Sequence, residues 1–138
     1  MDDIDLYLTD DEELLKKQPY VYGLANPASG TSVATFKRHK EDAEERKSSD
    51  EATWFKQMCH TIVHELCHLF GLAHCIYYEC IMNAAGNPVE KARRENRTLC
   101  PVCLCKLKLN IKFDTRERFE HLVRACNEIG LFTEARTY

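Results

Sequence analysis

The sequence contains no long apolar run, no marked excess of charge of either sign and no internal repeat. A membrane-spanning helix needs about 20 consecutive apolar residues, so a membrane protein is not expected. The formal net charge of −3 gives no electrostatic basis for binding nucleic acid or an anionic membrane. The first residues read M-D-D-I-D-L-Y-L and lack the basic segment and cleavage site of a signal peptide. These absences favour a protein of the cytoplasm, with the nucleus as a second compartment.

Cysteine is abundant by contrast, with eight residues in a chain of 138. In a small secreted domain this number would suggest a disulfide framework. Here no export signal is seen, and four of the cysteines lie at close spacing beside a histidine cluster. We therefore favour metal binding in a reducing compartment over disulfide formation.

The length fits a single domain, residues 1–138, and the order of elements predicts an α+β fold. Three short β-rich stretches bounded by turn residues, Ile4–Leu8, Tyr20–Ala25 and Thr31–Phe36, predict a partial sheet over residues 1–36. Residues 37–51 are highly charged and have no apolar face, so a solvated loop or a frayed helix is expected there.

A helix is predicted from about residue 52 to Phe70, followed by Gly71 and a turn that ends at residue 74. At about 100° per residue, His64 and His68 lie opposite the apolar stripe of this helix. The stripe consists of Phe55, Met58, Cys59, Ile62, Leu66, Leu69 and Phe70. We therefore expect the stripe to face the core and the two histidines to face away from it.

The remaining residues, 75–138, predict a mainly helical C-terminal part. The segment Leu104–Phe113 alternates like a strand, but Pro101 in a first turn favours a helix. Asp114, with Glu117 three residues later, forms the pattern of a capping box, and Gly130 ends the helix that follows.

The most specific motif is H-E-x-x-H-x-x-G-x-x-H, which begins at His64. His64 and His68 are four residues apart and can reach one metal from one helix face, while Gly71 permits the turn that brings in His74. Three imidazoles leave Zn²⁺ an open position for water or a substrate carbonyl. Glu65 would be the general base that takes the proton of the zinc-bound water during peptide hydrolysis. A purely structural or inactive zinc site is the alternative.

A second set, C-x₄-C followed by C-x₂-C, supplies four thiolates. These are Cys75, Cys80, Cys100 and Cys103. Four thiolates form a closed tetrahedral zinc site, which is structural rather than catalytic. Taken alone, the last two cysteines could instead form a redox pair. Of the other cysteines, Cys59 and Cys126 lie on apolar stripes and are expected in the core, while Cys67 and Cys105 receive no role.

The combined pattern from His64 to Cys103 resembles the archaemetzincin (archaelysin) family of zinc peptidases, in the metzincin clan. The resemblance implies a small mixed sheet packed on an active-site helix, with a helical, zinc-clamped C-terminal part. It implies that Met82 is the Met-turn residue beneath the three histidines, and that a peptide substrate lies along the edge strand Tyr20–Ala25. It also implies an N-terminally shortened chain with an incomplete sheet, since family members carry further elements before Ile4–Leu8.

Three functions follow from these residues. The first is a zinc metallopeptidase with two Zn²⁺ ions, one catalytic and one structural, that acts on peptide substrates. The second is a catalytically inactive zinc-binding interaction module, and the third is a redox or metal-buffering role for the cysteines. The presence of Glu65, which a zinc site does not need for binding the ion, favours the enzyme.

Overall fold

The computed structural model describes residues 6, 13, 16, 20–37, 39, 51–84 and 98–137, with the backbone alone described at 51–53. Two strands come first, β1 (Gly23–Asn26) and β2 (Thr31–Ala34). The helices within these ranges are α1 (Glu51–Leu69), α2 (Pro101–Ile111), α3 (Thr115–Glu128) and α4 (Phe132–Ala135). This arrangement confirms the α+β class.

The two strands form an antiparallel hairpin whose register runs from Gly23 opposite Ala34 to Asn26 opposite Thr31. The side chain of Asn26 stabilises the turn, because its Oδ1 accepts hydrogen bonds from the backbone N–H groups of residues 28 and 29. Gly30 completes the turn with a φ of +67°. The predicted strands Tyr20–Ala25 and Thr31–Phe36 are therefore present in shortened form.

Both pairings among the described residues are antiparallel, and the mixed sheet stays a prediction. Besides the hairpin, the sheet region contains one bridge, in which Val21 N–H donates to Leu6 O at 2.9 Å. The other residues of the predicted strand Ile4–Leu8 lie outside the described part of the chain. Parallel strands need a long crossover connection, whereas the short turn after Asn26 forces antiparallel pairing.

Helix α1 ends where it was predicted to end. Gly71 adopts a φ of +79° and its N–H donates to His68 O, which closes the helix in a left-handed turn. In the segment 37–51, where a solvated loop or a frayed helix was expected, Lys37 and His39 are helical and Glu51 is the first residue of α1. The rest of that loop lies outside the described residues.

The face of α1 that packs on the strands is not the predicted apolar stripe. Thr61 and Glu65 are buried there, and Thr61 Oγ1 is hydrogen bonded to Nε2 of the buried His39 at 3.0 Å. The stripe residues Leu66 and Phe70 are 41% and 42% exposed. Periodicity identified an apolar face correctly, but the contact with the sheet uses a different side of the helix.

Helices α2 and α3 begin where the sequence predicted, with Pro101 in the first turn of α2 and Asp114 as the cap of α3. Cys100 caps α2 with Pro101 in its first turn, so the ambiguous segment Leu104–Phe113 is helical up to Ile111. Asp114 caps α3, where its Oδ1 accepts from Glu117 N–H at 2.9 Å. The short helix α4 was not predicted. No helix in the ranges that the structure describes has the length and apolar character needed to cross a membrane.

The hydrophobic core lies between the end of α1 and the start of α2, around the predicted thiolate set. Its buried members are Cys67, Leu72, Cys75, Cys80, Ile81, Met82, Cys100, Cys103 and Leu107. Cys59 and Cys126 are half-buried rather than core residues. Four of the nine core residues are the predicted zinc ligands, so this part of the fold is built around the cysteines.

Candidate metal centres

The three predicted histidines converge on one point. The Nε2 atoms of His64 and His68 are 3.0 Å apart, and each is 3.3 Å from Nε2 of His74. Ligands at about 2.05 Å from a tetrahedral Zn²⁺ lie about 3.3 Å from one another. The helix supplies the first two rings and the turn at Gly71 supplies the third, as the motif predicted.

Backbone carbonyls fix the tautomers of two of these rings. His64 Nδ1 lies 2.7 Å from Ile81 O, and His68 Nδ1 lies 2.6 Å from Leu72 O. A carbonyl oxygen can only accept, so each Nδ1 donates its proton, and in the neutral ring Nε2 then presents a lone pair. Such outward hydrogen bonds are typical of metal-binding histidines. Lone pairs facing one another at this distance need a shared cation, and the chemistry of the site therefore fits zinc.

His74 is the most exposed of the three rings. Partial burial, and then the neighbouring His68, lower the pKa of His74 below its ordinary value. A lowered pKa favours the neutral imidazole, which is the form that binds a metal.

Glu65 lies between α1 and the hairpin. Its side chain is buried and passes so close to Gly23 of β1 that a Cβ on that glycine would lie 2.6 Å from Glu65 Cγ. Glu65 is therefore positioned by the strand that precedes it as well as by its own helix. Its role as a general base stays a prediction.

Met82 is fully buried, at 0% exposure, and belongs to the core. Its backbone is bonded to two members of the thiolate cluster, because Met82 O accepts from Cys75 N–H at 2.8 Å and Met82 N–H donates to Cys80 Sγ at 3.5 Å. The residue before it, Ile81, accepts the hydrogen bond from His64. The assignment of Met82 as the Met-turn residue stays a prediction.

The four predicted thiolate ligands also come together. Their sulfur atoms all lie within 4.8 Å of one another and all four residues are buried: Cys75, Cys80, Cys100 and Cys103. A tetrahedral zinc–thiolate site has S···S distances of about 3.8 Å, and Cys75 Sγ lies 3.9 Å from Cys100 Sγ. All eight cysteines lie in the described part of the chain, and none forms a disulfide.

Backbone N–H groups point at the sulfurs of this cluster. Cys80 Sγ accepts from Cys100 N–H at 3.2 Å, and Cys100 Sγ accepts from Cys103 N–H at 3.4 Å. Hydrogen bonds from the backbone of Tyr77 and Tyr78 lower the pKa of the Cys75 thiol to about 7. Such donors stabilise negatively charged sulfur, which is the form that binds metal.

Asn83 is a residue of the site that sequence reasoning did not identify. Its Oδ1 accepts from Cys80 N–H at 2.8 Å, and its Nδ2 donates to Cys75 O at 2.6 Å and to Tyr78 O at 2.9 Å. One side chain thus closes the loop between the first two cysteines. The only signal in the sequence is an amide-bearing residue directly after Met82, which is too weak to predict these bonds.

Cys67 and Cys105 remain without a role, as expected. Burial raises the pKa of the Cys67 thiol to about 11, so this sulfur is protonated and unreactive near neutral pH. Cys105 is exposed on α2, away from the buried cluster.

The sequence profile of peptidase family M54 matches residues 3–109. The chain belongs to this family. Both candidate metal centres lie within the matched residues, and the match confirms the resemblance to the archaemetzincins that the motifs indicated.

Named relatives agree with this assignment. This M54 chain is 32% identical to archaemetzincin-2 of Pongo abelii. The aligned region covers 76% of this chain and 36% of the relative. It is 41% identical to human archaemetzincin-1 over a shorter stretch, which covers 48% of this chain and 13% of the relative. The chain therefore spans well under half the length of these relatives.

A solved structure shares the fold. It is the zinc-dependent peptidase from Methanocorpusculum labreanum, with a TM-score of 0.58 and 30% sequence identity. The similarity covers 75% of this M54 chain and 49% of the peptidase. The fold described above is thus similar to part of a zinc peptidase.

Proposed function

We propose that this chain is a zinc metallopeptidase of metzincin type, with one catalytic and one structural Zn²⁺. The observation that carries the proposal is the convergence of three histidine Nε2 atoms at 3.0–3.3 Å, two of them with their Nδ1 protons donated to carbonyls. Three histidine ligands leave a tetrahedral ion one open position, which is the arrangement of a catalytic rather than a structural site.

The residues divide the chemistry between them. His64, His68 and His74 would hold the ion, which would supply a Lewis acid for the peptide carbonyl and would lower the pKa of a water. Glu65 accepts the proton of the attacking water and then donates it to the leaving amine. A buried carboxylate between helix and strand is shielded from bulk solvent, which strengthens its electrostatic interactions with the reacting groups.

The peptide substrate lies extended along β1. The strand pairs with β2 on one side, and among the described residues its other edge is bridged only at Val21, to Leu6. Gly23 brings the strand backbone against Glu65. An extended peptide can add to an exposed strand edge through backbone hydrogen bonds. This would align the peptide backbone with the carboxylate, and it agrees with the edge strand that the resemblance implies.

The thiolate cluster binds the second ion and stabilises the fold. Its four cysteines are buried and make up much of the core, so the ion joins the segment after His74 to the start of α2. Structural zinc sites contribute folding free energy directly. We place the protein in the cytoplasm, where thiols stay reduced.

The test is zinc stoichiometry together with turnover of a mixed peptide library, read by mass spectrometry. We compare the chain with Glu65→Gln, which has nearly the same shape but cannot act as a base. The wild type should bind two zinc ions and cleave peptides, and the variant should bind two ions and cleave at a rate lower by about 10²–10⁴-fold. Equal cleavage by both preparations, or no cleavage by the wild type, would refute the proposal that this chain is a peptidase with Glu65 as its general base.

An interaction module is the second candidate. Val63, Leu66 and Phe70 of α1 are each at least 40% exposed, which gives the chain an apolar surface that a partner could cover. Binding of two zinc ions without any cleavage in the library experiment would favour this function.

A further inference from the structure

Glycine serves two different purposes in the described part of the chain. Gly30, Gly71 and Gly130 have φ values of +67°, +79° and +77°, and a Cβ added to any of them meets no atom within 4 Å. Gly23 is not among the glycines with positive φ. Its hypothetical Cβ would lie 2.6 Å from Cγ, 2.8 Å from Oε1 and 2.9 Å from Cδ of Glu65. Gly23 is therefore required for space rather than for backbone conformation.

Glycine is an unfavourable choice inside a strand, because it loses the most conformational freedom on folding and offers no side chain to pack. In β1 it alternates with the exposed Leu24 and so faces α1. A glycine at such a place marks the close approach of another group. Here that group is the carboxyl-bearing side chain of Glu65.

The contact also restricts how Glu65 could respond to a larger residue. The nearest atom to the added Cβ is Cγ, in the middle of the side chain, so rotation of the carboxylate alone moves Oε1 but leaves the contacts with Cγ and Cδ in place. Glu65 would have to change its rotamer, or strand and helix would have to separate. Either response moves the carboxylate, because Glu65 is buried and has little alternative room.

We propose that Gly23 is a positioning residue, whose missing side chain leaves the space in which the Glu65 carboxylate reaches its working position. The proposal rests on the proposed function of Glu65 as general base. It predicts that the smallest possible enlargement, Gly23→Ala, reduces catalysis without removing any metal ligand.

The first measurement is kcat and KM for one peptide identified in the library. Because displacement of a catalytic group by about 1 Å can cost 10²-fold in rate, Gly23→Ala should lower kcat about 10²-fold. If the loss is one of proton transfer, KM should change by less than about threefold. The zinc stoichiometry should not change. The control is Val33→Ala, which alters the same hairpin from its exposed face.

A double-mutant cycle distinguishes positioning from general damage. Glu65→Asp shortens the side chain by one methylene and so draws the carboxylate back from its working position. It should therefore lower kcat strongly in the wild type, and at least tenfold less in the Gly23→Ala background, where the carboxylate is already displaced. Additive losses would mean that Gly23 acts independently of Glu65, and the proposal would be wrong.

A second readout does not need turnover. Acetohydroxamic acid binds zinc through its two oxygens and can give its hydroxyl proton to a nearby carboxylate. Its calorimetric Kd for the zinc-loaded chain should rise about tenfold or more in both Gly23→Ala and Glu65→Gln. If the wild type cleaves nothing, the proposed function fails, while this affinity still decides the role of Gly23. An unchanged Kd for acetohydroxamic acid in Gly23→Ala would overturn the positioning role of Gly23.

Folding of the variant provides the last check. Should Gly23→Ala fail to fold, the combination with Glu65→Ala removes the atoms that the new Cβ meets. Zinc stoichiometry and the thermal midpoint of the double variant should then match those of Glu65→Ala alone. A double variant that also fails to fold would contradict the proposed contact.

Discussion

His64 Nδ1 donates a hydrogen bond to Ile81 O across 2.7 Å, and Ile81 follows directly on the thiolate ligand Cys80. Ile81 N–H in turn donates to Thr98 O, two residues before Cys100. The first histidine is therefore oriented by a backbone segment that the thiolate cluster fixes in place. We expect the two metal centres to be coupled through this segment.

Cys103→Ser tests that coupling. The variant should lose one zinc equivalent and, because outer hydrogen-bond partners influence metal affinity by about 10–100-fold, should bind the histidine-site ion more weakly by about that factor. Zinc competition with a chromophoric chelator measures both effects. Cys105→Ser is the matched control, since it removes an exposed thiol from the same helix. An unchanged affinity at the histidines would show that the centres are independent.

Asn83→Ala should destabilise the loop between Cys75 and Cys80. The side chain makes three hydrogen bonds to backbone groups, so its loss should cost about 2–3 kcal/mol of unfolding free energy. Denaturant unfolding of the zinc-loaded chain measures this. Asn83→Asp should be no better, because a carboxylate would face the two carbonyls that the amide now serves. Asn110→Ala, which removes one exposed hydrogen bond to Phe70 O, should cost clearly less.

Gly71→Ala and Gly130→Ala form a matched pair. Both glycines end a helix with φ near +78° and open space around them, so each substitution should cost about 1–2 kcal/mol of unfolding free energy from backbone strain. Only Gly71→Ala should also weaken zinc binding at the histidines, because Gly71 directs the chain towards His74. Equal zinc affinities in the two variants would refute this role of the turn.

Asp114 should stabilise α3 in its ionised form. Its hydrogen bond from Glu117 N–H lowers the pKa of Asp114 below its ordinary value of 3.8. A lowered folded-state pKa means that the stabilisation is complete above the unfolded pKa and is lost as the pH falls through the folded one. Asp114→Ala should therefore lower the thermal midpoint by the same amount at pH 6, 7 and 8, and Asp114→Asn by less. A difference that changes across this range would contradict the assignment.

Much of the site was predictable because it is local. The spacing of His64 and His68, the turn at Gly71 and the cap at Asp114 each depend on a few consecutive residues, and the structure shows all of them. The thiolate set was predictable for the same reason, since Cys75 and Cys80 bound one short loop and Cys100 and Cys103 lie at the first turn of α2.

The remaining features depend on residues far apart in sequence. The contact between Gly23 and Glu65 joins elements separated by about forty residues, and no spacing rule specifies it. Periodicity places the apolar residues of α1 on one stripe, yet burial depends on what lies opposite. Thr61 and Glu65 are buried instead, Thr61 beside His39 and Glu65 against Gly23 of β1.

The loop between Cys75 and Cys80 presents three consecutive apolar side chains to solvent: Ile76 at 81%, Tyr77 at 78% and Tyr78 at 56% exposure. Both ends of this loop are proposed zinc ligands, and Asn83 ties its backbone from within. The backbone of this loop has therefore already lost its conformational entropy before any partner binds. A molecule that contacts these side chains meets a rigid surface, so that association loses little further freedom of the loop and more of the contact energy appears as affinity.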